Sequence, residues 1–157
     1  MTPLKAVYDS FFALITDDMY MEIGPEETRK DCKSMLLASI PLFEFPEYPF
    51  EITTIEVDHH PQDVFTRDLT LEEQNILAYG MVEIWLQRQI TSIEVTRQKF
   101  SGVDFKLTSQ ASHLTKLLSL IEDVRAEHRR LQMLHSRRRV NNFGKYESTF
   151  DLLVKRM

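Results

Sequence analysis

Apolar side chains recur three and four residues apart along most of this chain, and the pattern lapses between residues 41 and 69. Val7, Phe11, Leu14 and Ile15, with Met19 beyond them, define a first helical face. Thr2-Pro3 ahead of it reads as a helix opening, since Thr caps free amides and Pro at the first helical position has no amide to orphan. Gly24-Pro25 interrupts the chain. Glu26 and Glu27 then put negative charge on the first turn of a second helix, predicted to run to about Ser39 with Met35, Leu36 and Ile40 as its apolar face.

In the interval from 41 to 69, Pro41, Pro46, Pro49 and Pro61 exclude a continuous helix. Phe50, Ile52, Ile55 and Val57 in a β-branched setting point to one short strand or an irregular extended arm. Thr70 and Glu73 form a capping box before the next apolar run. From Ile76 to Leu86 that run is apolar nearly all round, which predicts a helix enclosed by other elements at the centre of the core. The helix turns polar through Arg88, Gln89, Glu94 and Arg97, and Ser101-Gly102 ends it.

The last long helix opens at Thr108 or Ser109 and carries a seam of Leu114, Leu117, Ile121, Val124, His128, Leu131 and His135. Its aliphatic start and histidine- and arginine-bearing end predict burial at the beginning and projection into solvent or a partner at the end. The short seam fits packing within a helical bundle better than a free-standing coiled coil. Leu77, Met81, Ile84, Trp85, Leu114, Leu117 and Ile121 are the expected core between the two long helices. A break at Val140–Gly144 leaves a tail in which Phe143, Tyr146, Phe150 and Leu153 line one side of a short helix, the expected anchors of a partner-docking segment. The fold class expected is therefore mainly α: a helical bundle with two long helices, a short extended or β arm around 41–69, a helical domain over 1–139 and a docking tail over 140–157.

Charge sharpens this picture. Residues 1–78 carry 16 Asp+Glu against 5 Lys+Arg, and residues 79–157 carry 14 Lys+Arg against 8 Asp+Glu. Such polarity lets copies of one chain pair acidic with basic surfaces, or turns a basic face to a polyanion. Arg125, Arg129, Arg130, Arg137, Arg138 and Arg139 are the candidates for contact with DNA or an acidic neighbour. The sequence pI of about 5.5 weighs against a dedicated DNA-binding domain. The composition is that of a soluble globular protein, with no apolar run long enough to span a bilayer, so a cytosolic setting is expected.

Catalytic signals are lacking in the sequence. His59-His60 beside Asp58 and Asp63 diverge in an extended segment and have no spaced Cys/His partners, so no metal or cofactor is expected. Glu83 and Glu94 stand about 16 Å apart along a helix, too far to share a proton. The single cysteine, Cys32, is a packing residue rather than a reactive thiol. His113, His128 and His135 are expected to be half-exposed, and no enzymatic activity is expected.

From Leu77 to Leu120, the Tyr79/Trp85/Leu86 helix, its QRQITSIEVTRQKFSG extension, the DFKLTSQASHL segment and the leucine-rich helix after it resemble the head-tail connector (adaptor, or head-completion) proteins of tailed bacteriophages. The resemblance implies a structural neck protein of the virion, in a ring of about twelve copies around the DNA channel. It further implies the portal protein and a tail-proximal neck or tail-terminator protein as partners, non-specific DNA contact in the channel, and assembly in the bacterial host cytoplasm. The alternative is a free-standing helical nucleic-acid-binding or regulatory protein.

Overall fold

Strand β1 (Thr2–Pro3) leads directly into helix α1 (Leu4–Leu14), which buries Leu4, Val7, Tyr8 and Phe11 on one side. Thr2 does not cap this helix. Its backbone is drawn into a sheet, and its Oγ1 accepts a 2.8 Å hydrogen bond from the Leu69 amide, so the hydroxyl ties the N-terminus to the entrance of a distant helix. The structure, a computed structural model, describes residues 1–15, 19–99, 107–140 and 146–148.

A short helix α2 (Met19–Glu22) precedes α3 (Pro25–Ser39), whose proline start and acidic first turn follow the sequence expectation. Cys32, Met35, Leu36 and Ser39 form its buried face, and a 3₁₀ turn, Ile40–Leu42, closes it. The proline-rich interval then yields more order than one strand. Strands β2 (Ile52–Val57) and β3 (His60–Phe65) make a hairpin, and β1 joins the far end of β3, giving the antiparallel order β1-β3-β2. Asp58 and His59 both adopt positive φ, as a two-residue turn with the right-handed strand twist requires. Pro61 is tolerated because it faces Glu56 next to the turn's closing Val57–His60 pair. There its nitrogen points away from β2, and β1 does not reach that far.

Helix α4 (Leu71–Lys99) is about 43 Å long and packs against α1, α3 and α5 (Leu107–Arg137). Its capping box is formed: the Glu73 amide donates to Thr70 Oγ1 at 3.2 Å, and the Thr70 amide donates to Glu73 Oε2 at 2.9 Å. Leu77, Met81, Leu117 and Ile121 are buried in the main core, with Ile84, Trp85 and Leu114 half-buried against it. The molecule is thus mainly helical with a small three-stranded antiparallel sheet.

Burial along α5 does not fade toward its end as the sequence suggests: Leu117 and Ile121 are buried as expected, and so are positions further on. Around its start only Leu117 is buried among the described side chains from 112 to 120, whereas His128 and Gln132 near its end are 4 % exposed. The cause is the segment after α3, which folds under the end of α5 and sets Phe43 edge-on to the His135 ring at 5.5 Å. Beyond α5 the chain continues as strand β4 (Arg138–Val140), paired antiparallel with β5 (Tyr146–Ser148). Tyr146 therefore sits in a strand, opposite Val140, rather than on the expected short helix. Phe143, Phe150 and Leu153 lie outside the described residues.

Candidate functional site

The basic end of α5 is the surface singled out by the sequence, and the fold changes its electrostatics. Arg125 Nε donates to Glu83 Oε1 of α4 at 2.7 Å, and Arg138 Nη1 to Glu72 Oε1 at 2.6 Å. Arg130 grips Glu127 on its own helix through two bonds of 2.7 and 2.6 Å, which hold the Glu127 carboxyl below its ordinary range. Arg137 is also engaged. Arg129 is exposed and pairs with no carboxylate among the described residues, and Arg139 lies in β4 opposite Glu147. These arginines do not form one open cationic face: three of them are spent on carboxylates of the same chain.

Behind this surface lies a buried polar relay that the sequence reading missed. Gln132 Nε2 donates to the Leu42 carbonyl at 2.9 Å, while its Oε1 accepts from the Glu44 amide at 2.7 Å. The same Nε2 lies 3.0 Å from His128 Nε2. Because the carboxamide nitrogen can only donate, His128 Nε2 must accept, which leaves the proton on Nδ1, facing Glu83 Oε2 at 3.5 Å. Burial pushes the His128 pKa below its usual value, against the opposing pull of Glu83 and then Glu44. Seam membership was the available signal: His128 stands at a core-facing position of the three-four pattern, and that outranks its polarity.

A second ion-pair cluster sits at the start of α4. Arg67 meets the almost fully buried Glu73 through bonds of 3.1 and 2.6 Å, and its guanidinium lies over the rings of Tyr48 and Phe50 at 5.7 and 5.2 Å. Burial would raise the Glu73 pKa, but hydrogen bonds from Arg67 and Thr70 outweigh it and the group stays below its ordinary value.

A cleft of about 730 Å³ opens between α1, α3 and the β2–β3 hairpin. Leu4, Tyr8, Phe12 and Cys32 line it on the apolar side, and Lys5, Asp9, Arg29, Asp58 and Asp63 supply its charged lining. Two of its buried groups are held in their protonated, neutral form near neutrality. Burial, with Asp31 adding to it, pushes the Cys32 thiol up to about 12, and burial likewise raises the Tyr8 hydroxyl. Asp63 is held low by hydrogen bonds from Lys33 and Thr54, both 2.7 Å; the Lys33 bond clips the hairpin to α3, and the Thr54 bond joins β2 to β3.

Among the described residues no cluster of His, Cys, Asp and Glu has metal-binding geometry, and His59 stands fully exposed at the hairpin turn. No helix among them is long and apolar enough to cross a membrane. Comparison of the chain with family models, curated proteins and solved structures finds no match.

Proposed function

We propose that this chain is a structural neck protein of a tailed bacteriophage, forming a ring that joins the capsid portal to the tail around the DNA channel. The observation that carries the reading is the α4–α5 pair. Past Leu86 and before Ile121 most of its described side chains are exposed, Leu118 and Leu120 among them, so a long two-helix hairpin has flanks available to neighbouring copies. Such a hairpin suits a part whose role is to hold neighbours in register.

In this reading α4 and α5 are the long helices of a bundle, and residues 140–157 dock on the portal through Phe143, Tyr146, Phe150 and Leu153. A tail-proximal neck or tail-terminator protein binds the opposite side, and the complex resides in the virion after assembly in the host cytoplasm. Free-standing nucleic-acid binding is the weaker reading, because pairing of Arg125, Arg130 and Arg138 within the chain removes much of the phosphate-neutralising charge.

The test is genetic and structural together. Phage lacking this chain should accumulate DNA-filled heads without tails, and a reconstruction of wild-type particles should place the chain between portal and tail. Tailed, infectious particles made without it would overturn the proposal.

A further inference from the structure

Four charged side chains of α5, all exposed, pair with nothing among the described residues: Lys116, Glu122, Asp123 and Arg129. The others are committed, Arg125 to Glu83 and Arg130 to Glu127, with Arg137 also engaged. The four are not scattered. The buried seam of the helix runs through Leu117, Ile121 and His128. At about 100° per residue, Glu122 and Arg129 fall roughly 120° to one side of that seam, and Lys116 and Asp123 roughly 120° to the other. Each flank thus carries one acid and one base, seven residues apart on a line along the helix. Their order is opposite: toward the C-terminus one flank runs acid then base, the other base then acid. Neither is a cationic face; each is a dipolar strip, and the two strips are complements.

Two parallel copies of α5 set side by side with a stagger of six residues, about 9 Å, satisfy all four charges. Glu122 of one copy then faces Lys116 of the next, and Arg129 faces Asp123. Without the stagger, Glu122 would stand beside Asp123. The space between the two pairs is also filled. Glu122, Arg125, Ala126 and Arg129 stand at i, i+3, i+4 and i+7, the corners of a hole on the helix surface. Opposite its centre comes Leu120 of the neighbouring copy, which is 46 % exposed in the single chain.

We infer that α5 joins copies of this chain flank to flank: the Glu122/Arg129 flank of one copy docks on the Lys116/Asp123 flank of the next, with Leu120 enclosed between the two ion pairs. The inference rests on the ring-forming reading above and deepens it by naming the surfaces through which copies meet. Complementary order of charge fixes the occupant as a second copy, since each strip finds its mirror on the other side of the same helix. Because the contact joins two different flanks, every copy keeps one flank free for a further copy, as a ring requires. Exposed ion pairs add little affinity, so they set direction and stagger while burial of Leu120 supplies the attraction.

Purified full-length chain, studied by sedimentation velocity across salt and protein concentration, supplies the test. Wild-type association should weaken as salt rises. Glu122→Lys with Arg129→Glu inverts one flank and should weaken association roughly tenfold or more, because like charges then face each other. Lys116→Glu with Asp123→Lys inverts the other flank and should do the same, while all four changes together should recover most of the loss. Circular dichroism melts verify that each variant stays folded, as surface substitutions should. A chain monomeric at all concentrations overturns the inference. So does association untouched by inverting either flank alone, the outcome expected if one flank paired with itself about a two-fold axis, since that pairing survives inversion. Loss that the fourfold change does not repair overturns it too. Because the measurement needs no phage particle, association through the flanks can stand even if the neck assignment fails, and particle incorporation can stand if the flank variants behave as wild type.

Discussion

Gln132 Nε2 lies 3.0 Å from His128 Nε2, and this one contact dictates the charge state of the histidine. Protonating Nε2 would place two donors face to face. Gln132 cannot relieve that by flipping its amide without losing both the Leu42 carbonyl and the Glu44 amide. A neutral His128 is therefore built into the joint between α5 and the segment beneath it.

The pH consequence has a definite sign. The folded state lowers the His128 pKa below its usual 6.5, so the unfolded chain binds the proton more readily. The stability contributed by neutral His128 should be complete above that value and lost as pH falls through the folded-state pKa. Urea midpoints measured from pH 8 to 5 should drop at the acidic end, and His128→Gln should flatten that drop. An equally steep slope in the variant would rule out His128 as its source. Gln132→Ala, which strips two part-buried backbone groups of their partner, should cost about 1–2 kcal/mol at pH 8.

Cys32 gives a test of the cleft. Its side chain is fully buried although it borders the cavity, and its thiol is pushed up to about 12, so neither access nor thiolate population favours reaction. Labelling by a thiol reagent at pH 8 should be slow in native protein and should accelerate in step with urea unfolding. Rapid stoichiometric labelling under native conditions would mean that the wall formed by α1 and α3 opens readily.

At the hairpin, two L-residues occupy left-handed backbone positions, Asp58 at φ 51° and His59 at φ 64°. Asp tolerates this region better than most residues, while His59 gains no compensating burial. Replacing the pair by Asn-Gly should raise stability by roughly 0.5–1 kcal/mol, seen as a higher urea midpoint with an unchanged slope. A lower midpoint would show that the native side chains contribute contacts stronger than the backbone cost.

Legibility in the sequence followed the range of the interactions. Helix α3 and the start of α4 were readable because Pro25, Glu26, Thr70 and Glu73 act within one turn of their own positions. Most of the expected core was readable because Leu77, Met81, Leu117 and Ile121 repeat at helical spacing. Thr2 was misread because its partner, the Leu69 amide, lies 67 residues away. The turn at Asp58-His59 lacked the usual glycine, so the hairpin gave no local sign of itself. For α5, the aliphatic start suggested burial, yet the neighbour that covers its end comes from residues 42–44. The candidate surface was legible as charge but not as pairing: nothing local tells that Arg125 reaches Glu83 or that Arg138 reaches Glu72.

Gly80 supplies the sharpest packing prediction, because two tendencies oppose each other there. It lies in the middle of α4, where alanine would favour the helix by about 1 kcal/mol. A Cβ at this position, however, would stand 2.9 Å from Ser39 Cβ and 3.5 Å from His128 Cε1, at the point where α3, α4 and α5 converge. Ser39 cannot simply swing away, since the clash is with its Cβ, and it is buried with its hydroxyl bonded to the Leu36 carbonyl at 2.8 Å. The helices must part, and overpacking of this kind costs about 1–3 kcal/mol, enough to cancel or exceed the propensity gain. Gly80→Ala should therefore be neutral to destabilising by up to about 2 kcal/mol, despite alanine's helical advantage. It should also weaken the pH dependence assigned to His128 by disturbing that ring. Ser39→Gly added to Gly80→Ala should recover stability relative to the sum of the single changes, a coupling read from a double-mutant cycle of urea midpoints. Additive effects, or a Gly80→Ala variant stabilised by the full helical gain, would show that α3 and α4 do not approach this closely.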